Sequence, residues 1–173
     1  HEHLDLHGSV EGYRAAKRHL LELLDTAPVG RHGKAAVLNA DDPIVMGFSD
    51  GLKSDVLTFG QCSSADVQVQ MVASTETGVM LSGSSPWGSW EADIPIPGRW
   101  VAGNVAAAVA CVGSVEGRIT SAVDRLATFP PVQGRMESVS CGQPFSVIID
   151  HAHTPVALST CLEGLRETTS GQL

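Results

Sequence analysis

A chain of 173 residues is long enough for one sizeable core, and 43% hydrophobic with 17% charged residues describes an ordinary globular protein. A net charge of −8 without any Lys/Arg cluster argues against a nucleic-acid partner. The longest apolar run, 105–115, is too short and too alanine-rich for membrane insertion, and four scattered cysteines suit reduced thiols in a cytoplasmic setting.

In chain order, Ser9 is the expected N-cap of a first helix running to about Asp25. On that helix Val10, Tyr13, Leu20, Leu21 and Leu24 share one face, and Lys17 falls in the middle of it. The run 34–43, ending Asn-Ala-Asp-Asp-Pro, reads as a buried parallel strand with polar groups at its carboxyl end, and 56–60 as a second strand. From Asp66 to Ile96 three runs alternate with period two and predict a small antiparallel sheet. Residues 98–115 begin with glycines and become a small-residue helix, and 119–129 form an amphipathic helix. A Pro-rich connection follows at 130–138, then the apolar strand 145–150 and a helix over 153–167 with Thr154 as N-cap and Pro155 at its first position. The pattern is α/β, and the linker at 130–134 divides it into 1–130 and 131–173.

Several residues in this frame carry chemistry. Ligands of open α/β sheets sit at the carboxyl ends of strands, which singles out 39–42 and 150–153. Lys17 is either a snorkelling side chain or a buried amine, and a neutral buried amine adds CO2 to give a carbamate with hard oxygens suited to Mg2+. His3, Asp5 and His7 have the spacing of a metal site, although no cysteine supports zinc. Asn104 is a helix N-cap or a reader of an adenine edge. Arg135 is a solvent-facing side chain or a clamp for phosphate or ribose. Asp150, at a strand end and followed by His151 and His153, is the strongest local signal; its alternative is an aspartate satisfying turn amides. A P-loop and a GxGxxG fingerprint are both absent from this stretch.

Taken together, HLDLHGSVEGYRAAK (3–17), VLNADDP (37–43), GRWVAGNVAAAVA (98–110), GRME (134–137) and IIDHAHTP (148–155) resemble the Mur ligase family, ATP-dependent amide-forming enzymes of peptidoglycan assembly. GRME followed by D-x-A-H-T-P is most similar to the third-residue ligase, which adds diaminopimelate or lysine to UDP-N-acetylmuramoyl-L-alanyl-D-glutamate. The resemblance implies the second half of a central ATPase domain, with a parallel sheet, helices and a small antiparallel sheet. It also implies the first strand and helix of a Rossmann-like C-terminal domain. It further implies that Lys17 is the carbamylated lysine and His3 a Mg2+ ligand, that Asn104 contacts adenine, and that Arg135 and Asp150 contact phosphate or ribose of ATP. His153 is implied to lie near the nucleotide or the incoming amine.

Three positions depart from the family pattern: Val101 stands where asparagine is usual, His151 where an aromatic is usual, and Glu2 where aspartate is usual. The sequence opens and closes within motif-like segments and reads as a piece of a longer protein, unable to ligate by itself. Competing readings are another ligase of the superfamily, such as cyanophycin or folylpolyglutamate synthetase, or a non-catalytic interaction module that keeps the fold. Nothing in the sequence specifies an oligomeric state.

Overall fold

The computed structural model describes residues 4–29, 33–75, 77–130 and 132–173, with side chains from Leu6 onward. A short helix α1 (Leu4–His7) leads into α2 (Val10–Thr26). As the sequence predicts, Ser9 caps α2: its Oγ accepts the Gly12 amide at 3.0 Å. The other end is held by polar contacts, with Lys34 Nζ donating to the Leu24, Asp25 and Ala27 carbonyls, where the helix dipole favours a cation.

Five strands form one sheet in the order β1 (Ala35–Asn39), β2 (Asp55–Gly60), β3 (Val67–Ser74), β4 (Val79–Ser85) and β5 (Gly88–Ile94). β1, β2 and β3 are parallel, and β3, β4 and β5 antiparallel. The antiparallel segment expected after Asp66 is therefore continuous with the parallel strands. Parallel neighbours normally need a long crossover, yet β2 and β3 are joined by residues 61–66 alone. The short connection suffices because they pair only at Phe59 with Val67 and Gly60 with Gln68; β3 begins where β2 ends and runs on. Asp66 fastens the joint, its Oδ2 accepting the Thr58 amide at 2.8 Å and the Thr58 hydroxyl at 2.7 Å.

α4 (Val101–Glu116) lies across β1 to β4 and closes the core. Its buried residues Val101, Ala102, Val105, Ala106, Val109, Ala110 and Gly113 are small, so the helix backbone comes close to the sheet. From the sheet, Val67, Val69 and Leu81 meet it, each fully buried. α5 (Thr120–Leu126) packs on β5. Between β1 and β2 the chain adds α3 (Pro43–Met46) and a single 3-10 turn, which apolar periodicity does not reveal.

The remaining chain forms an antiparallel pair, β6 (Glu137–Val139) with β7 (Val147–Ile149), and then α6 (Pro155–Thr168). Thr154 caps α6 by accepting the Ala157 amide at 3.2 Å, with Pro155 at the first position as predicted. α6 rests on the loop before α4. Trp100 lies against Gly98 and Gly164, where a Cβ at either glycine would meet its ring, and Arg99 pairs with Glu167 at 3.1 Å. No described helix is long and apolar enough to cross a membrane.

A candidate nucleotide cleft

A cleft of about 640 Å3 opens between the start of α4 and the segment that carries β6, β7 and α6. Ile96, Trp100 and Phe129 give it apolar lining, and Arg135, Asp150 and His153 give it polar and charged lining. This size and division suit a small-molecule ligand with a flat apolar part and a charged part. Asn104, Arg135, Asp150 and His153, placed 49 positions apart at the extremes by the sequence, all line it.

Asn104 does not start the helix. α4 begins at Val101, with Trp100 at the cap position and no side-chain cap, and Asn104 sits one turn in, its amide 3.4 Å from the Trp100 carbonyl. Its carboxamide is exposed and bonds to no described residue, so the N-cap alternative falls away. Asn104 lines the cleft, and its carboxamide carries the donor and the acceptor that reading a heterocycle edge requires. Val101, the departure one turn earlier, is 5% exposed and belongs to the core.

Asp150 carries the alternative that the sequence left open. Its Oδ2 accepts the Met136 amide at 2.9 Å and its Oδ1 the Ala152 amide at 2.8 Å. Met136 is the one non-glycine at positive φ (48°) among the described residues, a conformation that costs roughly 1–2 kcal/mol in L-residues. It is 4% exposed, with its sulfur 3.6 Å from Cys161 Sγ. Burial pushes the Cys161 thiol up, and the Asp150 carboxylate pushes it further, so the thiol stays protonated at neutral pH. Glu137 Oε2 accepts the Gly134 amide at 2.8 Å. Arg135 is therefore held between two amides that carboxylates pin, and its guanidinium has no hydrogen-bond or ion-pair partner among the described residues. Sequence reasoning did not find Glu137 or Trp100; Trp100 lies four positions before Asn104, a helical spacing that would have pointed to it.

His153 Nδ1 lies 2.8 Å from the His151 carbonyl oxygen. A carbonyl only accepts, so Nδ1 is the donor in this contact. The His151 ring stands edge-on to His153 with centroids 4.9 Å apart, so the departure at 151 supplies a ring contact within the cleft.

The polar run 39–42 is structural. Asn39 Oδ1 accepts the Asp41 amide at 2.9 Å, Asp42 Oδ1 the Ile44 amide at 2.8 Å, and Asp41 the Gln61 and Cys62 amides at 2.7 and 2.9 Å. Gly60 makes room, since a Cβ there would lie 2.8 Å from Asp41 Oδ2. Partial burial pushes the Asp41 carboxyl up, but the two amides outweigh it and hold the group below its ordinary 3.8.

Lys17 is exposed, which agrees with the snorkelling side chain of the two alternatives that the sequence leaves open and not with the buried amine. The apolar face of α2 is only partly covered by the described residues: Val10, Tyr13, Leu21 and Leu24 are half-buried, none is fully buried, and Leu20 is 70% exposed. Lys17 Nζ sits 5.4 Å from the Tyr13 ring centroid, a cation–π contact of about 0.5–1 kcal/mol at an exposed site. His7 meets the same ring edge-on at 5.4 Å. His3 lies outside the described residues, and no group of three acidic, histidine or cysteine side chains fit for a metal occurs among those described.

Residues 1–112 match the model of the Mur ligase middle domain. The chain is 39% identical to a UDP-N-acetylmuramyl-tripeptide synthetase of Roseiflexus sp., across 99% of this chain and 35% of that protein. It is 36% identical to the UDP-N-acetylmuramoyl-L-alanyl-D-glutamate–2,6-diaminopimelate ligase of Geobacillus kaustophilus, across 96% of this chain and 34% of that protein. Among solved structures, MurF ligase from Thermotoga maritima in complex with ADP superposes with a TM-score of 0.73 at 20% identity, covering 95% of this chain and 36% of that one. The chain spans about a third of the length of these relatives and belongs to the Mur ligase family through its middle domain.

Proposed function

We propose that this chain is part of a cytoplasmic, ATP-dependent ligase that joins a diamino acid to UDP-N-acetylmuramoyl-L-alanyl-D-glutamate. The observation that carries the nucleotide part is the convergence of Asn104 and Arg135 on one cleft, each without a partner among the described residues. The acceptor and the amino acid follow from the Geobacillus relative, whose name carries the muramoyl dipeptide and 2,6-diaminopimelate. The boundary near residue 130 belongs to the same proposal: residues 1–130 supply Trp100 and Asn104 to the cleft, and residues 131–173 supply Arg135, Asp150 and His153.

In the reaction, an oxygen of the acceptor carboxylate bonds to the γ-phosphorus of ATP and the bond to the β-phosphate oxygen breaks, releasing ADP. The neutral amine of the diamino acid then bonds to the acyl carbon, phosphate leaves, and the amine gives up a proton. Asn104 orients the adenine through its carboxamide. Arg135 offers a planar, permanently charged fork to phosphate oxygens. His153, an imidazole that lines the same cleft, suits the proton lost by the amine.

Mg2+ belongs to this proposal by resemblance: Lys17 and His3 would hold it beside the transferred phosphate, and His3 lies outside the described residues. Lys17 and His3 keep the metal-side role on resemblance alone. Lys17→Ala in the complete gene product should abolish ligation with partial recovery in a small carboxylate such as acetate; undiminished ligation overturns that role.

The test of the function is ADP release by the complete gene product with ATP, the UDP-linked muramoyl dipeptide and either diaminopimelate or lysine. Release that requires all three components supports the ligase. Nucleotide binding without turnover on either amino acid favours the interaction module.

A further inference from the structure

Downstream of α5 the chain lines the cleft with a period of three: Leu126, Phe129, Val132 and Arg135 all contribute to it. Turn bonds tie two of the three steps. The Phe129 amide donates to the Leu126 carbonyl at 3.2 Å, and the Arg135 amide to the Val132 carbonyl at 3.0 Å. A bond from residue i to i−3 closes a turn of three residues, so side chains three apart fall on one side. The Pro-rich connection therefore supplies the cleft with a strip that runs from apolar to charged.

Exposure separates the apolar residues of the lining. Ile94, Val101 and Val105 are 3%, 5% and 6% exposed and are committed to the core. Trp100 is half-buried, with its ring against Gly98 and Gly164. Phe129 is 46% exposed and offers a large, flat apolar face to the cleft. Covering such a ring with a planar ligand removes apolar surface from water and adds ring-to-ring attraction.

We propose that Phe129 is the stacking platform for the base of the nucleotide: its ring carries the flat face of the heterocycle, Asn104 reads the edge, and Arg135, six positions on, meets the phosphates. This rests on the nucleotide reading of the cleft and deepens it. Every base has a π face, so stacking adds affinity without choosing among bases. Phe129 sets how tightly a nucleotide is held, and Asn104 which base is accepted.

The test is calorimetric titration of the complete gene product with ADP and with pyrophosphate, which lacks the base. Phe129→Ala should weaken ADP about tenfold and change pyrophosphate less than about twofold. Phe129→Leu keeps the apolar bulk without the ring and should still weaken ADP severalfold. Phe129→Trp should bind ADP within about twofold of wild type or more tightly, a recovery that a merely structural role would not give. Phe129→Ala or Phe129→Leu with wild-type ADP affinity overturns the proposal while wild type still binds ADP. An equal loss for ADP and pyrophosphate in Phe129→Ala overturns it too, because the effect then does not pass through the base. Wild-type protein that binds no ADP removes the nucleotide reading and the platform together.

Discussion

Two helices of nearly equal length behave in opposite ways. α4 buries seven of its residues against the sheet, while α2 buries none, although α2 has the plainer amphipathic pattern. α4 is built from valine, alanine and glycine, and such a helix finds its partner in the sheet directly beneath it. α2 is held largely by polar contacts instead: by Ser9, by Arg18, which donates to the Gly47 and Asp50 carbonyls, by Lys34, and by Asp25, which accepts the Lys53 and Ser54 amides. An apolar stripe declares that a face needs cover; it does not say which part of the polypeptide covers it. Lys17 lies on that partly covered face and is exposed, the snorkelling alternative of the two that the sequence left open.

The comparison breaks most visibly at the core. Leu81→Ala removes a side chain with no exposure that packs in the same cluster as α4, and it should cost about 2–5 kcal/mol in urea unfolding. Ala106→Leu, at a fully buried position of α4, should cost about 1–3 kcal/mol by pushing the helix off the sheet. A loss below about 0.5 kcal/mol for either variant would show that α4 does not seal the core as described.

Asp41 gives a smaller and pH-dependent effect. Its folded carboxyl titrates below the unfolded 3.8, so its stabilisation is present above that value and is lost as pH falls through the folded one. Asp41→Asn should therefore lower stability at pH 7 and lose less than wild type on acidification through that window. Equal acid sensitivity in the two proteins would contradict the clamp on Gln61 and Cys62. Smallest of all, Leu20→Ala on α2 should stay within about 0.5 kcal/mol in the 173-residue chain, because the side chain is already 70% exposed. A loss comparable with that of Leu81→Ala would mean that α2 is covered after all.

Much of the fold is legible in the sequence because its signals are local. Period-two alternation finds β3, β4 and β5, and Ser9 and Thr154-Pro155 mark the starts of α2 and α6. The missed elements are too short to show a period: β6 has three residues and α3 four. The joining of parallel and antiparallel strands into one sheet depends on the stagger of β2 and β3, which no run of residue types records. At the site, residue types at strand and helix ends brought out Asn104, Arg135, Asp150 and His153, and the fold gathers them. The sequence does not tell a carboxylate that meets a ligand from one that holds amides. Asp41 and Asp150 follow strands in similar contexts, and only their hydrogen bonds disclose the work each does.

The central claim is that the cleft between α4 and the 135–161 segment receives the nucleotide. The most direct measurement is histidine modification by diethylpyrocarbonate in the complete gene product, read residue by residue by mass spectrometry with and without saturating ADP. His151 and His153 are exposed on the cleft, whereas His19 lies on α2 beside Glu22. ADP should slow modification of His151 and His153 at least severalfold and leave His19 unchanged. Equal rates at His151 and His153 with ADP bound would place the nucleotide elsewhere and contradict the account.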